Sequence, residues 1–431
     1  MEKTYNKMNI TLEDNSIQEQ VITKNFYRSL VISSLDEMKA GTLCLIEPDG
    51  TIITLGGGKL ESTNYYNSGF IKIHSFDFYR RCVLYGDIGF AESYMEELWD
   101  TDDLSKVLSW FLLNIDNNPS LSGSKMKNIG INLLKGINLL LHRFRENSIK
   151  GSKKNIVAHY DLGNDFYSLF LDKTMTYSSA IFKTYKEDLE EAQIAKYSSL
   201  AESLQLKPNM HILEIGSGWG GFSQFLVKEY ACKVHTVTIS DEQYKYVKNI
   251  IEQEGLKGKL TVELSDYRLL KGSYDRIVSI EMLEAVGDKY YETYFKKCHE
   301  LLKKDGLLGI QVITSPDSRY EEIKKGVDFI QKYIFPGSLI PSLARLNKAI
   351  NKTGDLFMHN LLDMGLSYAH TLRLWKENFN RKLEDVRTLG FDEKFIRMWN
   401  YYLSYCEVAF QMRNITVVQA VYTRPNNLSL G

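Results

Sequence analysis

Five short apolar runs, Met210–Ile215, Lys233–Ile239, Leu260–Leu264, Tyr274–Ile280 and Leu307–Ile313, alternate with helical stretches such as Asp241–Glu254 and Lys289–Leu302. This alternation leaves few choices of fold, because consecutive parallel strands need crossover helices, and those helices cover both faces of the sheet. The carboxyl-terminal part of the chain is therefore expected to be α/β, with a doubly wound parallel sheet. From Ser315 to about Met412 the rhythm gives way to long helical text rich in aromatics, and Ile415–Val421 then supplies a last strand. Residues 316–412 thus read as a helical lid inserted before the sheet is complete. Upstream, Gly41–Gly89 holds β-branched groups such as Thr51–Leu55, punctuated by Pro48-Asp49-Gly50 and Gly56-Gly57-Gly58, which reads as short strands of a small α+β domain. Helical text from Phe90 to Asn114 closes that domain. With 431 residues the chain is long enough for two or three domains. The expected boundaries are 1–120 for the small domain, 121–154 for a linker helix and 155–431 for the larger domain.

Charge and cysteine usage narrow the function classes. Lys and Arg number 53 against 54 Asp and Glu, so no global basic field marks a nucleic-acid binder. The five cysteines are widely spaced and odd in number, which argues against a disulfide framework or a zinc site and suits a reducing cytoplasm. Met1–Gln20 lacks the continuous apolar segment of a signal peptide, and Val107–Ile115 and Ile129–Leu141 fall short of the roughly 20 apolar residues that cross a bilayer. No metal site is expected. Between Leu121 and Lys154, eight basic residues stand against Glu146 alone. Leu133, Leu134, Ile137, Leu140, Leu141 and Phe144 recur there at spacings of three and four, the pattern of an amphipathic helix. Such a basic helix either docks on a domain as a linker or lies in the headgroup region of an anionic membrane.

The strongest local motif is Leu213-Glu214-Ile215-Gly216-Ser217-Gly218-Trp219-Gly220-Gly221, set between an expected strand and the helix beginning near Phe222. Glycines let the backbone turn sharply and approach a ligand, and the free N–H groups of the helix start face it. Two cofactors suit such a loop. Gly216, Gly218 and Gly221 satisfy G-x-G-x-x-G with Asp241 about 20 residues on, the pattern of a nicotinamide dinucleotide site. Glu214 just ahead of the glycines is better suited to S-adenosylmethionine (SAM), whose methionine end is cationic. The loop alone leaves both readings open.

An ordered set of further segments carries a resemblance. His159–Tyr167, Met175–Ser179, the glycine loop, Val237–Gln243, Ser265–Arg268 and Ser279–Gly287 occur in one sequence order, followed by Tyr333–Gly337 and Tyr368–Trp375. Together they resemble the signature segments of cyclopropane-fatty-acyl-phospholipid synthases, over most of Ile156–Arg424. Gly86–Met95 and Trp99-Asp100 are similar to the leading domain of the longer members. The resemblance implies a Rossmann-like SAM-methyltransferase sheet with a helical lid insertion. It places SAM over Gly216 and Gly218, with Glu214, Thr238 and Gln243 lining the site, Tyr177 and Ser178 closing it, and Asp266 or Tyr267 near the adenine.

The implied reaction is attack by a cis alkene of a phospholipid acyl chain on the sulfonium methyl, followed by loss of a proton from the resulting carbocation. Aromatic side chains and a dry pocket suit such a cation. In the family a bound bicarbonate takes the proton. The residues implied to hold it are Glu284, Tyr368, the backbone near Ile313, and the positions occupied here by Ser179 and Gln311. Those last two depart from the family's cysteine and histidine, and Ala285 stands where many members carry histidine. A serine hydroxyl and a glutamine amide still offer donors to an oxyanion. The expected partners are unsaturated phospholipid and, through residues 125–154, the membrane surface of a peripherally bound cytoplasmic enzyme; a homodimer is also admitted. Three alternatives stay open. The product could be a methylene or methyl branch, the chain could be a nicotinamide-dependent oxidoreductase, or it could be a catalytically silent lipid-binding protein.

Overall fold

The computed structural model describes residues 25–57, 68–114 and 162–430. The basic segment at 121–154 and the stretch His159–Asp161 lie outside the described residues. These group into two compact units: the first gathers 25–57, 68–114 and Glu393–Tyr401, the second 162–392 and 402–430.

In the first unit a four-stranded sheet runs in the order β2-β1-β3-β4, with β1 Thr42–Ile46, β2 Ile52–Gly56, β3 Ser68–Ile73 and β4 Trp99–Asp100. β1 and β2 form a hairpin whose turn places Gly50 at φ +86°, a conformation that glycine adopts without a Cβ penalty. Leu43, Leu45, Leu55, Ile71 and Ile73 are buried with Phe78, Trp99, Val107 and Trp110. Helix α1 spans Asp77–Met95 and α2 spans Leu104–Leu113, the latter capped by the Asp103 side chain, which accepts from the Ser105 and Lys106 amides. The sequence reading begins helix only at Phe90. The earlier start escapes it because Phe78, Tyr79, Val83 and Tyr85 are also strand formers, and because α1 is interrupted at Gly86 (φ +61°).

The second unit holds a seven-stranded sheet in the order β10-β11-β9-β8-β5-β6-β7. Its strands are β5 His211–Ile215, β6 Lys233–Thr238, β7 Leu260–Leu264, β8 Tyr274–Ile280, β9 Leu302–Thr314, β10 Phe357–Asp363 and β11 Thr416–Thr423. Successive residues of a strand face opposite sides, and the core divides accordingly. Ile212, Leu307 and Val421 join one buried cluster, while Leu213, Leu308 and Ala420 join the other. Helices cover both faces: α3 Leu189–Ser203, α4 Gly221–Tyr230, α5 Asp241–Gln253, α6 Tyr291–Leu301, α7 Leu343–Thr353 and α8 Gly365–Arg381; α9, Glu393–Gln411, contributes its part after Tyr401.

Two features differ from an all-parallel expectation. β11 runs antiparallel to β9, and β10, which lies inside the segment read as helical lid, pairs antiparallel with β11 at the sheet edge. β10 hides from hydropathy because an edge strand has one neighbour, and here Phe357, Leu361 and Leu362 are exposed. No helix among the described residues is long and apolar enough to cross a membrane.

Candidate active site

The parallel strands end at a common edge, where the first turn after β5 is the glycine loop. Gly216 and Ser217 both donate their amides to the Val237 carbonyl, which ties the loop to the end of β6. Gly218 sits at φ +48° with open space where a Cβ would project, so no side chain crowds the loop backbone there. At Gly221, the first residue of α4, a Cβ would come within 2.5 Å of the Tyr197 hydroxyl and 2.8 Å of the Thr174 carbonyl; only glycine admits this approach.

The expected cofactor residues surround this loop. Glu214 is buried behind it, and one carboxyl oxygen accepts from Ser223 of α4 and Thr236 of β6. Burial raises its pKa to about 7. Thr238 donates its hydroxyl to Gln243 Oε1 at 2.8 Å, so the two act as a pair between the end of β6 and the first turn of α5. Asp266 follows β7. Its carboxylate accepts from the Arg268 amide at 2.9 Å, Nε at 2.8 Å and Nη2 at 2.6 Å, which leaves one acceptor position unused. The Tyr267 ring meets Tyr294 edge-on. Tyr177 and Tyr402 share a hydroxyl hydrogen bond of 2.8 Å. Ser178 faces the interior: its hydroxyl accepts from Lys196 Nζ and its carbonyl from Gln193.

One strand over, the end of β8 carries two acids three residues apart, Glu281 and Glu284. Met282 lies between them and touches the glycine loop, its Cγ 3.3 Å from where a Gly216 Cβ would sit. The acid pair and the loop therefore adjoin. Glu281 Oε1 accepts from the Ser179 amide and from Gln311 Nε2, each at 2.8 Å, and Oε2 accepts from the Tyr368 hydroxyl at 2.8 Å. Sheet register sets this up, because Ile280 pairs with Gln311 of β9 and Gln311 pairs with Gln419 of β11. Gln419 Nε2 donates to Gln311 Oε1 at 3.1 Å, and Ser199 donates to Gln419 Oε1 at 2.9 Å. This chain fixes which end of the Gln311 amide faces the carboxylate. The Ser179 hydroxyl, expected to be a donor in the pocket, instead donates to the Ala180 carbonyl, and the Ser179 backbone amide does the binding.

Glu284 Oε1 accepts from the Ile313 amide at 2.6 Å, while Oε2 is enclosed with no partner among the described residues. Both acids keep some exposed surface, yet burial is the largest influence on each carboxyl and raises both pKa values. Glu284 is pushed up to about 8, by burial first and by the neighbouring Glu281 charge second. Burial thus raises the Glu281 carboxyl as well, against the lowering influence of three donors and the buried Lys196, while Glu284 has the Ile313 amide as its donor and the Glu281 charge against it. A stability prediction follows. A raised folded pKa gives a contribution that is complete below the unfolded value of 4.5 and is lost as pH rises through about 8. Glu284→Gln should keep the Ile313 contact without titrating, so its melting temperature should gain on that of wild type between pH 5 and 8 and hold a constant lead above. A pH-independent difference would show that Glu284 ionises normally.

The lid supplies an aromatic wall. Tyr177 lies 5.1 Å from Trp375 and 5.2 Å from Tyr167 between ring centroids, and Tyr368 lies 4.4 Å from Phe410. The loop bearing Glu284 is tied to the lid by the Leu339 amide, which donates to the Glu284 carbonyl at 2.8 Å.

The structure thus gathers Ser179, Glu284, Gln311, Ile313 and Tyr368 in one pocket beside the loop. Sequence reasoning missed Glu281, Lys196 and Gln419. Glu281 carries a signal that could have marked it: an acid at the end of a mostly buried strand, three residues before the expected catalytic glutamate. The other two become visible only through strand register and the packing of α3. Asp241, the acid of the dinucleotide reading, opens α5 at its first turn. The antiparallel β11 between β9 and β10 also departs from a classical dinucleotide-binding sheet, which is mostly parallel.

Known proteins share this sequence pattern and fold. The sequence profile described as Mycolic acid cyclopropane synthetase matches residues 147–420. The chain is 35% identical over 368 residues to the cyclopropane-fatty-acyl-phospholipid synthase of Escherichia coli, covering 82% of this chain and 87% of that one. It is 34% identical over 353 residues to the tuberculostearic acid methyltransferase of Mycobacterium tuberculosis, covering 79% of each. Among solved structures, a mycolic acid cyclopropane synthase complexed with SAH and CTAB matches with a TM-score of 0.59 at 30% identity, over 63% of this chain and 98% of that one.

Proposed function

Because the chain belongs to the mycolic acid cyclopropane synthetase family, we propose that it is a SAM-dependent methyltransferase that adds one carbon to the cis double bond of an unsaturated phospholipid acyl chain and closes a cyclopropane ring. The observation that carries this reading is the acid pair at the end of β8, set against the glycine loop through Met282. SAM supplies an electrophilic methyl group on a cationic sulfur. The cradle suits it: Gly216 and Gly218 offer backbone at the loop, Glu214 braces the loop from behind, and Thr238 with Gln243 presents hydroxyl and amide at the next strand end. Asp266 and Tyr267 stand at the third strand end for the adenine, and Tyr177 and Ser178 border the opposite side. The aromatic wall of Tyr167, Tyr177, Trp375 and Tyr402 excludes water from an apolar chain and stabilises positive charge on it, at about 2 kcal/mol per desolvated ring contact. Glu284, held by the Ile313 amide, and Tyr368 face the carbon that loses the proton.

The test is incubation of the full chain with SAM and vesicles of cis-unsaturated anionic phospholipid, then proton NMR of the released fatty esters. Anionic lipid is chosen because the basic residues between 121 and 154 attract it. Upfield ring protons are the expected result. The similarity to a tuberculostearic acid methyltransferase favours one second reading, in which the chain is methylated without ring closure. An alkene-bearing methylated product would establish that reading and reject the ring. Absence of any methylated lipid would reject both.

A further inference from the structure

The donors that the family resemblance reserves for bicarbonate are already engaged. The Tyr368 hydroxyl and the Gln311 amide both point at the Glu281 carboxylate, and the Ser179 amide joins them. A bicarbonate does not fit beside that carboxylate, because it would meet a negative charge and find its donors spent. A carboxylate and a bicarbonate present the same planar pair of oxygens, so one can replace the other against the same donors. From this convergence, and resting on the proposed acyl methylation, we infer that Glu281 is the built-in base of the reaction: its carboxylate occupies the anion position and takes the proton, and turnover needs no bicarbonate.

Four features support the assignment. A carboxylate offers about four acceptor positions, and three are filled, which leaves one on Oε2 for an incoming proton. Glu281 lies beside the glycine loop, one residue before Met282, whose Cγ comes 3.3 Å from where a Gly216 Cβ would sit. Its backbone sits at φ +48°, a conformation uncommon for a non-glycine residue, and the surrounding bonds hold it there, including its own amide donating to the Gln311 carbonyl at 2.7 Å. Burial raises its pKa above the usual carboxylate value, which makes it a stronger base.

The step balances. The alkene π pair forms a carbon–carbon bond to the donor methyl as the methyl–sulfur bond breaks, with that bonding pair remaining on sulfur. The acyl chain then carries one positive charge. A C–H bond on the transferred methyl, or on a neighbouring carbon, breaks; the proton goes to Glu281 Oε2 and the electron pair closes the ring or forms a double bond. Glu281 leaves the step as a neutral acid and returns its proton to solvent between turnovers.

The test uses the full chain as wild type, Glu281→Gln and Glu281→Gly, with SAM binding followed by calorimetry to establish that each variant is folded. Wild type should turn over at the same rate in bicarbonate-depleted buffer as with added bicarbonate. Glu281→Gln should lose at least roughly 100-fold in kcat at unchanged SAM affinity. Glu281→Gly, whose backbone is relaxed at positive φ, empties the anion position; bicarbonate or formate should restore part of its turnover. Carbon-13 NMR line broadening of labelled bicarbonate should appear with Glu281→Gly and not with wild type. Bicarbonate dependence of the wild type, or its binding of labelled bicarbonate in competition with formate, would overturn the inference. If no acyl lipid is methylated by any form, the proposed function fails, and bicarbonate binding still decides the position: binding confined to Glu281→Gly upholds it, and binding to wild type sinks it.

Discussion

Replacing Gln311 with Leu is expected to slow acyl methylation by on the order of 100-fold and to move the acidic limb of the pH–rate profile to higher pH. Gln311 is fully buried, and its amide nitrogen donates to Glu281 at 2.8 Å and to the Ser179 carbonyl at 3.3 Å. Leucine has a similar shape and no donor. Without that bond the Glu281 carboxylate is no longer held in one orientation toward the carbon it deprotonates, and a small misplacement of a reacting group typically costs about 100-fold. The direction of the pH effect follows from what sets the Glu281 ionisation. Burial raises its pKa, and the bonds from Ser179, Gln311 and Tyr368 lower it. Deleting one lowering influence raises the pKa, so a smaller fraction of Glu281 is ionised at a given pH and the limb shifts upward. Gln419, which donates to the Lys196 carbonyl as well, keeps one partner, so the stability loss should stay near 1–3 kcal/mol. The check is kcat against pH at saturating SAM. An unmoved limb would remove Gln311 from the base's surroundings.

Replacing Asp288 with Ala should destabilise the second unit by about 3 kcal/mol, because it strands charges that the lid cannot otherwise neutralise. Asp288 Oδ1 accepts from Arg345 Nε and the Tyr320 hydroxyl, each at 2.5 Å, and Oδ2 accepts from Lys324 at 2.7 Å. The Arg345 guanidinium also donates to the Asp288 carbonyl and lies 5.3 Å from the Tyr291 ring centroid. One carboxylate thus pins two lid segments, Tyr320–Lys325 and α7, to the loop that follows Glu284. A fall in melting temperature of roughly 5–10 °C is expected at neutral pH. The pH dependence is also determined. The three partners hold the folded pKa down to about 2 against an ordinary value of 3.8. The stabilisation is therefore present above 3.8 and lost as pH falls through 2, so wild type and variant should converge in acid. Thermal denaturation at a series of pH values measures this, and equal melting temperatures at pH 7 would show that the lid is held by other contacts.

Much of this molecule was legible before any coordinates. Strand-length apolar runs separated by helical text determine a doubly wound sheet, because each strand must be covered on both faces. The glycine loop after β5 determines where a cofactor can approach, because only glycine tolerates the close contacts at Gly221. The order of the motifs determined the family, and with it the gathering of Glu284, Tyr368, Gln311 and Ile313. Three things lay beyond the sequence. Edge strand β10 carries no hydropathy signal, since its apolar residues face solvent. The start of α1 is masked by residues that favour strand and helix alike. The partner of the pocket's donors was the largest omission, because the position of Glu281 after an apolar strand marks it as an acid near the site without showing which donors reach it. Only the register of β8, β9 and β11 brings Gln311 and Gln419 into line with it, and only the packing of α8 delivers the Tyr368 hydroxyl. Which oxygen receives which hydrogen bond is a matter of ångströms between residues as distant in sequence as Lys196 and Gln419, and tertiary structure alone decides it.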